Sequence, residues 1–198
     1  MAIIVDKLKK RKDIALACTD LLLEKGFKNL TVSEIAKTAM IGKGTVYDYF
    51  RNKEEIVFEI IRNIIEEHHQ KLLLRSDENT STKQKVLFLF DFFLSEYEDY
   101  EKHLDVYKEY TSVTLSSQYG AMHDFNRECS SFLRNILKDI IEEGIKKGEI
   151  KEIARRLIDG IMKTERGYIV ISWAENKDLK EEFKQYIDTL FELIETKK

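Results

Sequence analysis

No proline interrupts this chain of 198 residues. Proline in a helix interior removes a hydrogen bond and clashes with the preceding turn, so a chain without one is free to remain helical between its turns. Glycines number only eight, and Leu, Ile, Glu and Lys, which favour helices, are abundant. The expected fold class is therefore all-α. A hydrophobic content of 43%, with 11% aromatics, can fill a sizeable core across one or two domains. The apolar start, Met1 to Val5, is too short for a signal peptide and lacks a preceding basic region. Val86 to Leu94, the longest dense apolar segment, is interrupted by Asp91 and falls far short of the roughly 20 residues a membrane span needs. Both features point to the cytoplasm.

The stretch from Thr31 to Lys53, TVSEIAKTAMIGKGTVYDYFRNK, reads as two short helices joined by a tight turn. Thr31 and Glu34 have the spacing of a capping box, which satisfies orphan amides at a helix start and predicts a helix from about Val32. Ile35, Ala36 and Ala39 give it a narrow apolar face. Met40-Ile41-Gly42 then breaks the pattern, with Gly42 expected to take the positive φ of the turn. In Lys43-Gly44-Thr45-Val46-Tyr47-Asp48-Tyr49-Phe50, Val46 and Phe50 lie one turn apart and face inward, while Lys43, Thr45, Tyr47 and Tyr49 point elsewhere. Outward polar reach with inward packing is what a DNA-recognition helix needs.

The pattern L-T-V-S-E-I-A followed by I-G-K-G-T-V-Y-D-Y-F-R-N-K-E-E, with Gly26-Phe27 closing the preceding helix, resembles the N-terminal DNA-binding domain of TetR-type (tetracycline-repressor-like) bacterial transcription regulators. The likeness covers the first quarter to third of the chain; beyond about Leu74 it is architectural only. It implies a three-helix head at 1–53, a connecting helix at 54–74 and a helical regulatory and dimerisation region at 75–198, with about nine helices in all. Carried over by motif position, the DNA contacts fall on Thr31, Lys43, Gly44, Thr45, Tyr47, Tyr49 and Lys53. Lys43 would reach a base edge or phosphate, and Thr45 a base and a thymine methyl. Gly44 permits close approach, and Tyr47 and Tyr49 reach base, sugar or phosphate unless they pack against the first helix. Thr31 and Lys53 sit at helix starts, where phosphate binds well. Asp48 departs from what a phosphate-facing position tolerates, so it is expected to point to solvent or accept from a cytosine.

Charge is divided accordingly. Up to Lys53 there are eleven lysines and arginines against six acids, a charge of +5, so the overall −3 leaves −8 for the remainder. A basic head and an acidic body suit a DNA binder that must not stick in wrong orientations. The run Lys7 to Lys12 alone would be a solvated face; beside the helix-turn-helix it becomes a candidate for phosphate contact.

Cys18 and Cys129 belong to no C-x-x-C or Cys/His cluster, and His68, His69, His103 and His123 have no metal spacing. No metal or cofactor is expected, and each cysteine reads as a small buried hydrophobe. Glycine-rich phosphate loops, nucleophile elbows and metal-ligand clusters are missing from the sequence, which argues against an enzyme.

Along the chain, a first helix is expected from about Asp6 to Lys25, burying Ile14, Ala17, Cys18, Leu21 and Leu22 and ending at Gly26. Asn52 can cap a fourth helix with Ile56, Val57, Ile60, Ile61 and Ile64 along one stripe. Arg75 to Gln84 is the candidate loop, Val86 to Leu94 a buried central helix continuing toward Tyr97 and Tyr100, and Leu104 to Leu115 another helix that breaks near Ser117. A long helix should run from Ala121 to Lys147, and two more from Glu152 to Ala174 and from Leu179 to Thr196.

Those last two helices carry the expected homodimer contact. The stripe Gly160, Thr164, Gly167, Ile171 would admit a close helix, and Phe183, Ile187 and Leu190 form an apolar stripe; either could instead complete the protomer core. The resemblance favours dimerisation and hence a roughly palindromic DNA operator. It further implies a small-molecule pocket whose occupancy changes the spacing of the two heads. Phe88, Phe92, Tyr107, Tyr110, Phe125, Tyr168 and Trp173 are the aromatic candidates, with Tyr97 and Phe132, although aromatics at helical spacing more often form core. Glu165 and Arg166 lie on apolar stripes and need partners, either an ion pair or a ligand group. The reading is a repressor released by a hydrophobic small molecule. The alternatives are a DNA-binding regulator without an effector and a helical interaction module.

Overall fold

The computed structural model describes residues 2–95, 98–116 and 120–196, and side chains from residue 6 onward outside 96–100 and 116–119. Tyr97 and Ser117, and the side chain of Tyr100, lie outside the described residues. Among the described residues the protein is all-α, with eleven α-helices, one 3-10 segment and a single isolated bridge between Ile150 and Glu195. No helix among them is long and apolar enough to cross a membrane. The chain divides into two compact units, residues 1–67 with 101–125, and residues 68–100 with 126–198.

The first unit begins with α1 (Ala2–Ala17) and α2 (Thr19–Asn29), followed by α3 (Val32–Thr38) and α4 (Lys43–Tyr49). It also holds most of α5 (Lys53–Arg75) and α8 (Glu98–Ser116), and the first turns of α9 (Gly120–Lys146). The single helix expected over Asp6 to Lys25 is instead bent at Cys18 (φ −105°, ψ 5°), whose amide bonds Ala15 O at 3.0 Å. That tighter turn rotates the inward face, so Ala15 joins Ile14, Cys18 and Leu22 in the core while Ala17 faces solvent and Leu21 is half-buried. At Gly26 (φ 76°, ψ 169°) the chain leaves the helix. The Glu109 carboxylate accepts there from the amides of Phe27 and Lys28, and a Cβ on Gly26 would collide with it.

The capping box at the start of α3 forms as expected: Thr31 Oγ1 accepts from Glu34 N at 3.3 Å, and the Glu34 carboxylate accepts from Thr31 N at 3.2 Å. The positive φ in the following turn belongs to Met40 (φ 53°), not to Gly42, which is extended (φ −68°, ψ 147°). The reason is how α3 ends. Ile41 N donates to Ala36 O at 2.9 Å and Met40 N to Lys37 O at 3.2 Å, the Schellman pattern that places a left-handed residue at Met40. For a residue with a Cβ this conformation costs about 1–2 kcal/mol.

In the second unit, α6 (Thr82–Leu89) and α7 (Asp91–Leu94) replace the continuous central helix expected over Val86 to Leu94. The break is at Phe90 (φ −97°, ψ 11°), which lets Phe90 and Phe93 both meet Phe183 edge-on at 5.4 and 5.8 Å. Helix α6 also starts inside the expected loop, because Ser81 and Gln84 make a second capping box. Thr82 donates through N and Oγ1 to Glu149 at 2.7 Å each, and its side chain fills the space beside Gly144 where a Cβ would stand. Lys85, nearly enclosed, donates to both Glu143 oxygens at 2.9 and 2.8 Å.

The helix expected from Glu152 opens as a 3-10 segment (Glu152–Leu157) before α10 (Ile158–Glu175), which Asn176 ends in a left-handed conformation. The last helix, α11 (Lys180–Ile194), turns Phe183, Ile187, Phe191 and Ile194 inward, and Lys151 N bonds Ile194 O at 2.8 Å to fix its end.

Candidate DNA interface

A helix of seven residues such as α4 cannot sustain itself in water. Val46 and Phe50, with 0% and 1% exposure, seat it on α1 and α3. Its other face is open: Lys43 and Gly44 are exposed, Thr45 and Tyr49 half-buried, and Tyr47 is 52% exposed, so it is not folded away against α1. Space is clear beside Gly44. Asp48 is exposed.

Arg11 from α1 closes the C-terminal end of α4. Its guanidinium donates to the Tyr49 carbonyl, lies 4.4 Å over the Phe50 ring, and pairs with Glu59 at 3.5 Å and Glu55 at 3.9 Å. A cation is favoured both by the helix C-terminus and by the ring face. Arg11 belongs to the basic run expected to contact phosphate, yet its guanidinium is committed to the protomer. Its signal was available, since Arg11 precedes Ile14, Ala15, Cys18 and Leu22 at helical spacing on the buried stripe.

Thr31 is exposed at the start of α3. Its partner Glu34 is held below the usual carboxylate range, first by Lys25, whose ammonium bonds it, and then by Thr31. Lys53 is less free than its motif position implies: Nζ donates to Lys28 O at 3.1 Å and stands 5.5 Å from the Phe27 ring centre. Arg51, its side chain 91% exposed, is a basic residue at this edge that the motif reading passed over. An open cleft of about 480 Å³ adjoins α4. Lys7, Arg11, Arg51 and Arg62 line it together with Asp48 and Glu55, and Arg11 and Arg62 are both paired with Glu59, so its excess of positive charge is small.

The aromatic candidates for an effector pocket are divided between the two units. Within the first unit, Phe125 stacks on Phe58 at 4.4 Å and meets Tyr110 edge-on at 6.1 Å; Tyr110 and Phe125 are both buried, and Tyr107 is half-buried. Within the second, Arg75 caps the Phe88 ring at 4.0 Å, and Tyr168 tilts against Phe183 at 5.4 Å. Phe92 and Trp173 are half-buried there, and Phe132 is 38% exposed. Arg166 donates to Ser130 Oγ at 2.7 Å. Glu165 is half-buried, and that burial pushes its pKa up to about 7 against the opposing pull of Arg166. Burial also pushes the Cys18 thiol up to about 11, which suits a core residue rather than a reactive thiolate.

Of the expected dimer residues, Gly160 and Ile171 are exposed and Thr164 and Gly167 half-buried, with open space beside both glycines. Phe183 and Ile187 are corrected to protomer core: both are fully buried where α11 packs on α6 and α7. Leu190 is half-buried.

A turn at 39–42 joining two short helices, the second seated by apolar residues and polar on its open face, defines a helix-turn-helix DNA-binding protein. Residues 15–60 match the family described as bacterial regulatory proteins, tetR family. The fatty acid metabolism regulator protein of Bacillus subtilis (strain 168) is 28% identical over 199 residues, 95% of each chain. Among solved structures, a TetR transcription regulator from Haloarcula marismortui shares the fold with a TM-score of 0.73 at 18% identity, covering 95% of this chain and 99% of that one. The fatty acid degradation regulator FadR from Bacillus halodurans does so with a TM-score of 0.67 at 22% identity, covering 92% and 94%. The chain belongs to the TetR family and is a DNA-binding transcriptional regulator.

Proposed function

We propose that the protein is a homodimeric repressor that leaves a palindromic operator when a hydrophobic small molecule binds its C-terminal region, and that the effector is a fatty acyl compound. On this reading residues 1–53 form the DNA-binding domain, 54–74 the connecting helix and 75–198 the regulatory and dimerisation region. Thr31, Lys43, Gly44, Thr45, Tyr47, Tyr49 and Lys53 meet the DNA. The observation that carries the reading is the open polar face of α4, backed by Val46 and Phe50 and held at its end by Arg11. The acyl effector is supported by full-length similarity to a fatty acid metabolism regulator. Dimerisation is supported by the small-residue stripe of α10, where Gly160 and Ile171 are exposed and space is open beside Gly160 and Gly167.

Release needs only that the ligand bind the DNA-incompetent conformation more tightly than the competent one. Titrating long-chain fatty acids and their coenzyme A esters into the protein bound to a selected duplex, followed by fluorescence anisotropy, tests this. Release by long chains but not by two- to four-carbon acids is expected. A dimer that remains bound at saturating long-chain ligand would refute the acyl effector.

A further inference from the structure

The turn between α3 and α4 holds its left-handed position with Met40, where glycine would sit without strain. The side chain gains nothing from the core, for it is 90% exposed. An unfavourable backbone and an unburied apolar side chain thus coincide two residues before Gly42, the N-cap of the recognition helix, next to exposed Lys43 and Gly44.

We propose that Met40 is a specificity-determining residue of the DNA interface, its side chain resting on the 5-methyl group of a thymine in each half-site. The proposal rests on α4 reading DNA. The first residues of a recognition helix face the base edges, so a side chain on the turn just before it reaches the base pairs flanking those read by Lys43 and Thr45. The apolar group on a major-groove base edge is the thymine methyl. Methionine is unbranched and polarisable and adapts to such a surface. A phosphate would call for a cation. Glycine and asparagine, which adopt the left-handed conformation more readily, offer no apolar reach.

The test uses the full-length protein and the inverted-repeat duplex it selects from a random library. Thymines of each half-site are replaced singly by deoxyuridine, which lacks the methyl. Native protein should lose about threefold to tenfold in affinity at one thymine per half-site. Met40→Gly and Met40→Asn should show the same loss on the unmodified duplex, no further loss at that thymine, and a thermal midpoint without DNA at or above the native one. Native affinity in both variants overturns the proposal, as do losses that add to every deoxyuridine replacement. A midpoint that falls with affinity assigns Met40 a structural role and overturns it too. Should native protein select no repeat, the DNA reading itself fails and this proposal with it.

Discussion

Glu165 carries a charge that its half-buried surroundings disfavour. Its folded pKa, about 7, lies above the ordinary 4.5, so the folded state binds the proton more tightly than the unfolded chain does. Its contribution to stability is therefore greatest below pH 4.5 and is lost as pH rises through about 7. Glu165→Gln should leave the melting temperature nearly unchanged at pH 4.5 and raise stability at pH 8 by about 1–2 kcal/mol. Parallel melts at the two pH values check this; an equal effect at both would mean that the carboxyl is not desolvated. Gly26 is constrained differently, by a backbone conformation open almost only to glycine and by the Glu109 carboxylate lying where a Cβ would be. Gly26→Ala should cost about 2–4 kcal/mol in chemical denaturation. A loss below about 0.5 kcal/mol would show that neither constraint operates.

Helix starts were the most legible elements, because a cap is a local event. Thr31 and Glu34 are three residues apart, and so are Ser81 and Gln84, although the polar residues around the second box give that stretch the pattern of a loop. The two caps separate stability from function. Thr31→Ala and Ser81→Ala should each cost about 1 kcal/mol, but only Thr31→Ala should weaken DNA binding, as anisotropy on a selected duplex would record. Helix breaks were not legible. The bend at Cys18 accompanies a buried thiol that meets the Ile35 carbonyl at 3.7 Å, and the bend at Phe90 serves Phe183, 93 positions away. Glu109 reaches the turn after Gly26 from 82 positions along the chain, a pairing that no local pattern marks. The recognition helix was legible in type and facing. Its turn was not, since glycine at position 42 suggested the left-handed residue that hydrogen bonding assigns to Met40.

At the scale of the whole molecule, the charge division gives the head +5 and the remainder −8. Such a division makes DNA affinity steeply salt-dependent while directing the basic face toward it. In the proposed homodimer a second copy would cover the small-residue stripe on α10, whereas most of the apolar stripe on α11 is spent within the protomer. Two copies related by a twofold axis would present two α4 helices to successive major-groove faces of one duplex. Selection of bound duplexes from a random library at about 0.15 M salt, with a Lys43→Ala, Tyr47→Ala double variant alongside, tests this most directly. The account predicts an inverted repeat with half-sites about one helical turn apart, recovered by the native protein and not by the variant; recovery of the same duplexes by both, or of none by either, would contradict it.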